Sequence, residues 1–202
     1  MKIRRLAAST AIVALAATLA ACGSDDTSSS ADTASVTQAE APEGTAAVTL
    51  NEADVEFAQG MIGHHQQAIE MSEIALDPTR GASPEVVDLA TRIQAAQDPE
   101  VQVMTAWLTA AGEPITMDMS ADEMSMMEGM MTAEQMDAMA AAMGAEFDSM
   151  WLEMMIAHHQ GAVAQSETVK AAGSNLDVLA LADQIIAAQQ AEIAEMQALL
   201  QG

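Results

Sequence analysis

The stretch "MIGHHQQAI" (Met61–Ile69) occurs a second time as "MIAHHQGAV" (Met155–Val163), 94 positions further along the chain. All four histidines of the 202-residue sequence lie in these two copies. The similarity continues downstream, where "IQAAQDPEVQVMTAWL" (Ile93–Leu108) matches "IIAAQQAEIAEMQALL" (Ile185–Leu200). The chain therefore contains two repeats, and each repeat contains two similar blocks.

Turn-forming residues separate the two blocks of each repeat. They are "DPTRGASP" (Asp77–Pro84) in the first and "AGSN" (Ala172–Asn175) in the second. The blocks themselves are rich in Ala, Gln, Glu and Met, which all tolerate helix, and tyrosine is absent. Each repeat is thus predicted to be a helical hairpin. Because a single hairpin cannot bury its apolar face, two should pack as an all-α four-helix bundle with internal pseudo-twofold symmetry.

Apolar residues recur three and four positions apart along the first helix of each repeat, which marks a core-facing seam. The first histidine of each pair, His64 or His158, lies in the middle of that seam. The second, His65 or His159, is expected at the edge of the seam or buried against a neighbouring helix.

The second helices carry the same seam, but polar residues interrupt it at Gln97, Glu100, Gln189 and Glu192. His64 and Gln97 lie equally far from the first turn, so an antiparallel pair of helices places them at one level. The same holds in the second repeat. The histidines, glutamines and glutamates are therefore expected to converge near the centre of the bundle.

This convergence predicts a metal site, because a buried imidazole or carboxylate is costly unless it is paired or binds a metal. Imidazole together with thioether favours copper, particularly Cu(I), whereas zinc is less favoured without a thiolate. The alternative is a hydrogen-bonded network in which His64 and His158 contact the glutamates and glutamines. The predicted metal-site residues are His64, His65, His158, His159, Met61, Met155, Glu100, Glu192, Met104, Met196, Gln97 and Gln189.

A methionine-rich helical connector, residues 113–145, joins repeat one (50–112) to repeat two (146–202). Thioether clusters in an exported chain can bind Cu(I), but methionines at helical spacing can equally form an apolar cover over the bundle. Both interpretations remain open from the sequence. The connector methionines are Met117, Met119, Met124, Met126, Met127, Met130, Met131, Met136, Met139 and Met143.

The N-terminal region has the features of a lipoprotein signal peptide. Basic residues precede an apolar run that is shorter than the roughly 20 residues that span a bilayer, and "LAAC" (Leu19–Cys22) follows. We expect a signal peptide at 1–21, lipidation at Cys22, and a disordered Ser/Thr/Asp/Ala tether at 22–49. The four-helix domain (50–202) would then be exported and anchored by lipid, either on the outer face of the cell membrane or in the periplasm.

The charge balance excludes some functions. Three of the six basic residues lie before Cys22, so the remaining three face 30 acidic residues. Such a surface repels phosphate backbones, which makes nucleic-acid binding unexpected, and it attracts cations. No catalytic residue is expected, since no nucleophile motif occurs and a Glu-x-x-His di-iron motif is absent from the sequence. A metal-dependent redox enzyme stays a further alternative, and it would need an open coordination position and a path for substrate. A homo-oligomer is left open.

The repeated pattern Met-x-x-His-His-Gln-x-Ala, followed by Gln-x-x-Glu-[Val/Ile]-x-x-Met, resembles a bacterial domain-of-unknown-function family over Asp54–Leu200. The resemblance implies export, a ferritin-like four-helix fold and, for members of the CopM type, copper binding through the histidines, methionines and glutamates of this pattern. Gln165 stands where the first repeat has Met71, so a methionine ligand at that level would exist on one side only. The competing function is a metal-free helical interaction lipoprotein of the cell envelope.

Overall fold

The structure is a computed structural model, and it describes residues 48–201. The predicted signal peptide, the lipidation site at Cys22 and the tether up to residue 47 lie outside the described residues.

Four long helices form two hairpins. The first hairpin consists of α1 (Glu52–Leu76) and α2 (Pro84–Ala111), and the second consists of α5 (Gly144–Ala172) and α6 (Leu176–Gln201). Two short helices, α3 (Ala121–Met124) and α4 (Ala133–Ala141), lie in the connector, and residues 48–201 contain no strand. The prediction of an all-α, ferritin-like four-helix bundle built from two repeated hairpins is confirmed.

Local sequence fixes where the helices begin and end. Asn51 caps α1 in a reciprocal capping box with Asp54, and Ser83 caps α2 directly before Pro84. Gly112 ends α2 in a left-handed conformation (φ 76°) that residues with a Cβ avoid. These signals place the turns at the ends of the predicted blocks.

The hairpins meet through α1 and α5, which run antiparallel, while α2 packs on α1 and α6 packs on α5. Asp54 at the start of α1 accepts hydrogen bonds from the backbone amides of Ser174 and Asn175 after α5. In the corresponding position, Asp148 near the start of α5 accepts from the amide of Ser83 after α1. Each first helix therefore fixes the turn of the opposite hairpin.

Two apolar clusters occupy the two ends of the bundle, and the histidines lie between them. The Trp151 cluster contains the C-terminal half of α1, the N-terminal half of α5 and connector residues. The Phe57 cluster contains the N-terminal half of α1 and the C-terminal half of α5. Met61 and Ala68, which flank His64 along α1, belong to different clusters.

The connector contributes to the core only in part. Met131, Met136 and Met139 are buried in the Trp151 cluster, so these three methionines do form an apolar cover. Met126 and Met143, in contrast, are 82% and 61% exposed. The remaining connector methionines are half-buried. None of the described helices carries an apolar stretch long enough to cross a membrane.

We predict that Asp54→Ala destabilises the bundle. Asp54 is fully buried and accepts bonds from the amides of Asn51, Ser174 and Asn175 at 2.9–3.1 Å. Its removal leaves these donors without an acceptor, which should lower the free energy of unfolding by about 2–3 kcal/mol. Urea unfolding measures this, with Glu52→Ala in the same helical turn as an exposed control. Equal effects of the two substitutions would contradict the role of Asp54.

Candidate metal centre

His64 and His158 lie against each other where α1 crosses α5. Their ring centroids are 3.7 Å apart, and the ring planes are inclined by 45°. Both side chains are buried. The two histidines that the sequence placed in the middle of the seams therefore form a single buried imidazole pair.

The nitrogens of this pair have no hydrogen-bond partner. Nδ1 and Nε2 of both rings are buried, and none of them bonds to another group among residues 48–201. The side-chain oxygens of Gln97 and Gln189, which the sequence placed at the same level, are also buried and unpaired in this part of the chain. Buried polar atoms without partners cost about 1–3 kcal/mol each, so they are rare in native proteins. A metal ion that accepts the lone pair of one nitrogen in each neutral ring, or those of the amide oxygens, would remove part of this cost.

Burial also keeps the pair uncharged. Desolvation lowers the pKa of His64 to about 3, with smaller contributions from the nearby rings of His65 and His159. Desolvation likewise lowers the pKa of His158 well below its ordinary value, and the His64 ring adds to the effect. The backbone of Glu128 near the His64 ring, and the backbone of His64 near the His158 ring, act to raise the two pKa values, but neither contact meets the geometry of a hydrogen bond. At neutral pH both rings are therefore in the neutral form, which is the form that binds metals.

The second histidine of each pair has a different environment. His65 Nε2 lies 2.7 Å from Glu100 Oε2, and His159 Nε2 lies 2.8 Å from Glu192 Oε2. Both rings are buried, as expected, while their Nδ1 atoms have no hydrogen-bond partner among the described residues.

The alternative prediction of a network joining His64 and His158 to the glutamates is wrong. Consecutive helix residues point about 100° apart, so His64 faces α5 while His65 faces α2. Glu100 and Glu192 consequently bond to the second histidine of each pair rather than to the first.

Four buried thioethers flank the imidazole pair along the bundle. Met61 and Met104 belong to the Phe57 cluster, and Met155 and Met196 belong to the Trp151 cluster. Met61 and Met155 each precede a paired histidine by one helical turn and share its face. Sulfur is therefore present at both ends of the histidine level.

Within residues 48–201, no three His, Cys, Asp or Glu side chains are arranged so that they could hold one metal ion. The histidines lie close together, with the His158 and His159 ring centroids 6.4 Å apart, but each glutamate contacts only the second histidine of its repeat. A metal ion bound to the imidazole pair would therefore need donors of another type, such as thioether sulfur or amide oxygen.

The connector covers the imidazole pair through contacts that the sequence did not reveal. The side chain of Gln67 both donates to the carbonyl and accepts from the amide of Met131, at 2.8 and 2.7 Å. A Cβ at Gly161 would overlap the carbonyl of Glu128, so the connector backbone rests directly on α5 there. Gly161 is the residue of the second repeat that corresponds to Gln67 in the first. This difference between the repeats was the feature of the sequence that could have indicated the contact with the connector.

The connector also places a thioether against Gly63, the residue that precedes His64. Met124 Sδ lies 3.4 Å from where a Cβ would stand on Gly63. The connector thus supplies a sulfur atom on the side of α1 that the seam methionines do not cover.

The family model for the domain of unknown function DUF305 matches residues 54–200. The chain belongs to the DUF305 family. A search of curated proteins finds none that matches it. The resemblance inferred from the repeated motif is therefore confirmed.

Solved DUF305 structures have the same fold. A DUF305 fragment from Deinococcus radiodurans is 30% identical, with a TM-score of 0.68 over 74% of this chain and 96% of that one. A DUF305 protein from Streptomyces coelicolor is 33% identical, with a TM-score of 0.67 over 73% and 91%. CopM in its Cu(II)-bound form is 34% identical, with a TM-score of 0.62 over 73% and 95%.

We predict that the metal-free DUF305 domain loses stability as the pH falls below 6.5. The unfolded histidines take up protons there, whereas folded His64 does not until about pH 3. Protonation therefore favours the unfolded state, by up to about 1.4 kcal/mol per pH unit for each histidine. Urea unfolding in the presence of a chelator, between about pH 7 and pH 4, measures the slope.

The matched control for this experiment is His64→Leu/His158→Leu, which keeps the acidic residues and removes only the paired rings. Its unfolding free energy should depend less steeply on pH. Identical slopes for the two proteins would show that the paired histidines do not resist protonation in the folded state.

Proposed function

We propose that this protein is an exported, lipid-anchored copper-binding protein that sequesters or buffers copper outside the cytoplasm. The observation that carries the proposal is the buried His64–His158 pair, whose four ring nitrogens have no partner among the described residues. In each neutral ring one nitrogen carries a free lone pair, and a soft metal ion that accepts it would offset part of the cost of burial.

The donor set favours copper over other metals. Imidazole with thioether suits Cu(I), and no thiolate is available in the described residues to favour zinc. A relative of similar fold, CopM, has been solved with Cu(I), with Cu(II) and with silver. The metals bound by CopM support the same ligand class for this chain.

We assign His64 and His158 as direct ligands. Met61 and Met155 are the thioethers on the same helix faces, and Met104 and Met196 are those from the second helices. The oxygens of Gln97 and Gln189, which are buried and unpaired among residues 48–201, are further donors.

His65 and His159 have a positioning role in this proposal. Each is held by a glutamate of the adjacent helix, Glu100 or Glu192, whose side chains are only 20% and 15% exposed. These pairs fix α2 against α1 and α6 against α5 at the level of the imidazole pair. The paired rings are thereby held in place from both sides.

The rest of the chain fits this role. The excess of acidic residues raises the local concentration of cations around the bundle. A lipid on Cys22 and the predicted tether at 22–49 would hold the domain close to the membrane. No catalytic step is part of the proposal.

We predict that His64→Leu/His158→Leu abolishes tight Cu(I) binding at the crossing of α1 and α5. The substitution removes the imidazole donors but keeps apolar volume at the crossing. A competition titration of purified protein against a chromophoric Cu(I) chelator measures the affinity. The loss should exceed the roughly 10–100-fold that changes outside the direct ligand set produce.

Two variants serve as controls. Gln66→Ala/Gln160→Ala changes the exposed neighbours of the histidine pairs and should bind as the unmodified protein does. His65→Leu/His159→Leu should lose no more than about 10–100-fold in affinity and should also lose stability, because the partly buried carboxylates of Glu100 and Glu192 lose their partners. If the unmodified protein fails to compete for Cu(I), the copper proposal is wrong and the metal-free interaction lipoprotein replaces it.

A further inference from the structure

Two connector thioethers and one amide oxygen end at the same glycine of α1. A Cβ on Gly60 would stand 3.2 Å from Met117 Cε, 3.3 Å from Met127 Cε and 3.3 Å from Gln165 Oε1. These three side chains come from the connector and from α5, so the tertiary fold brings them together. Gly60 lies one helical turn before His64 and faces the connector.

The same side chains line a cavity of about 190 Å³ that is open to solvent. Glu56 and Thr168 contribute polar groups to its wall, and Phe57 contributes an apolar one. The Nε2 atom of Gln165 is buried and has no hydrogen-bond partner among residues 48–201. The amide is therefore not held at this place by hydrogen bonding within the described chain.

Comparison of the two repeats indicates that packing does not explain this arrangement. The residue that corresponds to Gly60 in the second repeat is Met154, and the residue that corresponds to Gln165 in the first is Met71. Met71 is fully buried in the Trp151 cluster, and Met154 packs against it. Methionine therefore satisfies apolar packing at both of these positions. In contrast, Gly60 leaves space beside α1, and Gln165 supplies an oxygen atom.

We propose that Met117, Met127 and Gln165 form a second metal site, on the outside of the bundle, that is selective for a soft monovalent ion. The two thioethers suit Cu(I) or Ag(I) and disfavour hard divalent ions, and the amide oxygen adds a third, weaker donor. The nearby carboxylate of Glu56 attracts the positive charge. The inference rests on the proposed copper function, and it adds a separate site with its own ligands and selectivity.

Titration of the purified protein with Ag(I), which does not change oxidation state during the experiment, tests the second site. Calorimetry gives the stoichiometry, and the ¹³C-methyl NMR signals of methionine report which thioethers bind. In Met117→Leu/Met127→Leu, which keeps the apolar volume, the stoichiometry should fall by about one Ag(I) per chain because the soft donors are gone. In His64→Leu/His158→Leu, the methyl signals of Met117 and Met127 should still shift.

Two further variants make the test specific. Met126→Leu/Met143→Leu changes exposed connector methionines and should bind as the unmodified protein does. Gly60→Ala leaves every ligand in place but adds a methyl group where the three side chains meet, so it should weaken the second site selectively. Thermal unfolding of each variant confirms that the bundle is intact.

The outcomes separate this inference from the copper proposal. If Met117→Leu/Met127→Leu binds Ag(I) with unchanged stoichiometry and affinity while the histidine variant loses binding, the second site does not exist and the proposed function stands. If no Ag(I) binds to the unmodified protein, both are wrong. Retention of the Met117 and Met127 shifts in the histidine variant, together with their loss in Gly60→Ala, establishes the second site.

Discussion

The contact between two neutral imidazole rings at the crossing of α1 and α5 is the constraint on which the structure depends. His64 and His158 are buried by the same packing that joins the two hairpins, and burial keeps both rings uncharged at neutral pH. The apolar clusters on either side stabilise the crossing, whereas the unpaired ring nitrogens destabilise it. The apolar packing therefore holds the ring nitrogens away from the water molecules that would otherwise form hydrogen bonds with them.

The connector makes the two faces of a nearly symmetric bundle different. The repeats exchange equivalent interactions at their ends, as Asp54 and Asp148 demonstrate by fixing opposite turns. Only one connector exists, however, and the middle of it contacts α1 and α5 in different ways. Gln67 holds it by hydrogen bonds, and Gly161 at the corresponding position admits its backbone. Soft donors can therefore be added on one side of the crossing without altering the seam itself.

Much of this architecture could be predicted from the repeated motif. The three-and-four spacing around His64 and His158 predicted that both would be buried in the core, and the turn sequences placed the ends of the helices. Periodicity could not decide which histidine meets which glutamate, because that depends on how each helix is rotated against its neighbour. The sequence placed both His65 and Glu100 in the predicted metal site, but only the helix rotation in the structure shows that they pair with each other.

The connector was beyond sequence reasoning for another physical reason. The connector methionines have a helical spacing, but between α2 and α5 only α3 and α4 are helical. The spacing therefore could not predict which side chains these methionines contact. The position of Met117 and Met127 over Gly60 results from tertiary contacts that are distant in sequence.

The contact of the connector with Gly161 has a consequence for the history of the chain. Two identical hairpins could associate as a symmetric dimer, with either copy in either position. Once the backbone at Glu128 lies where a Cβ of residue 161 would be, every side chain larger than hydrogen is excluded there. From that point the two halves are no longer interchangeable, and a substitution that is neutral in one half can be unacceptable in the other.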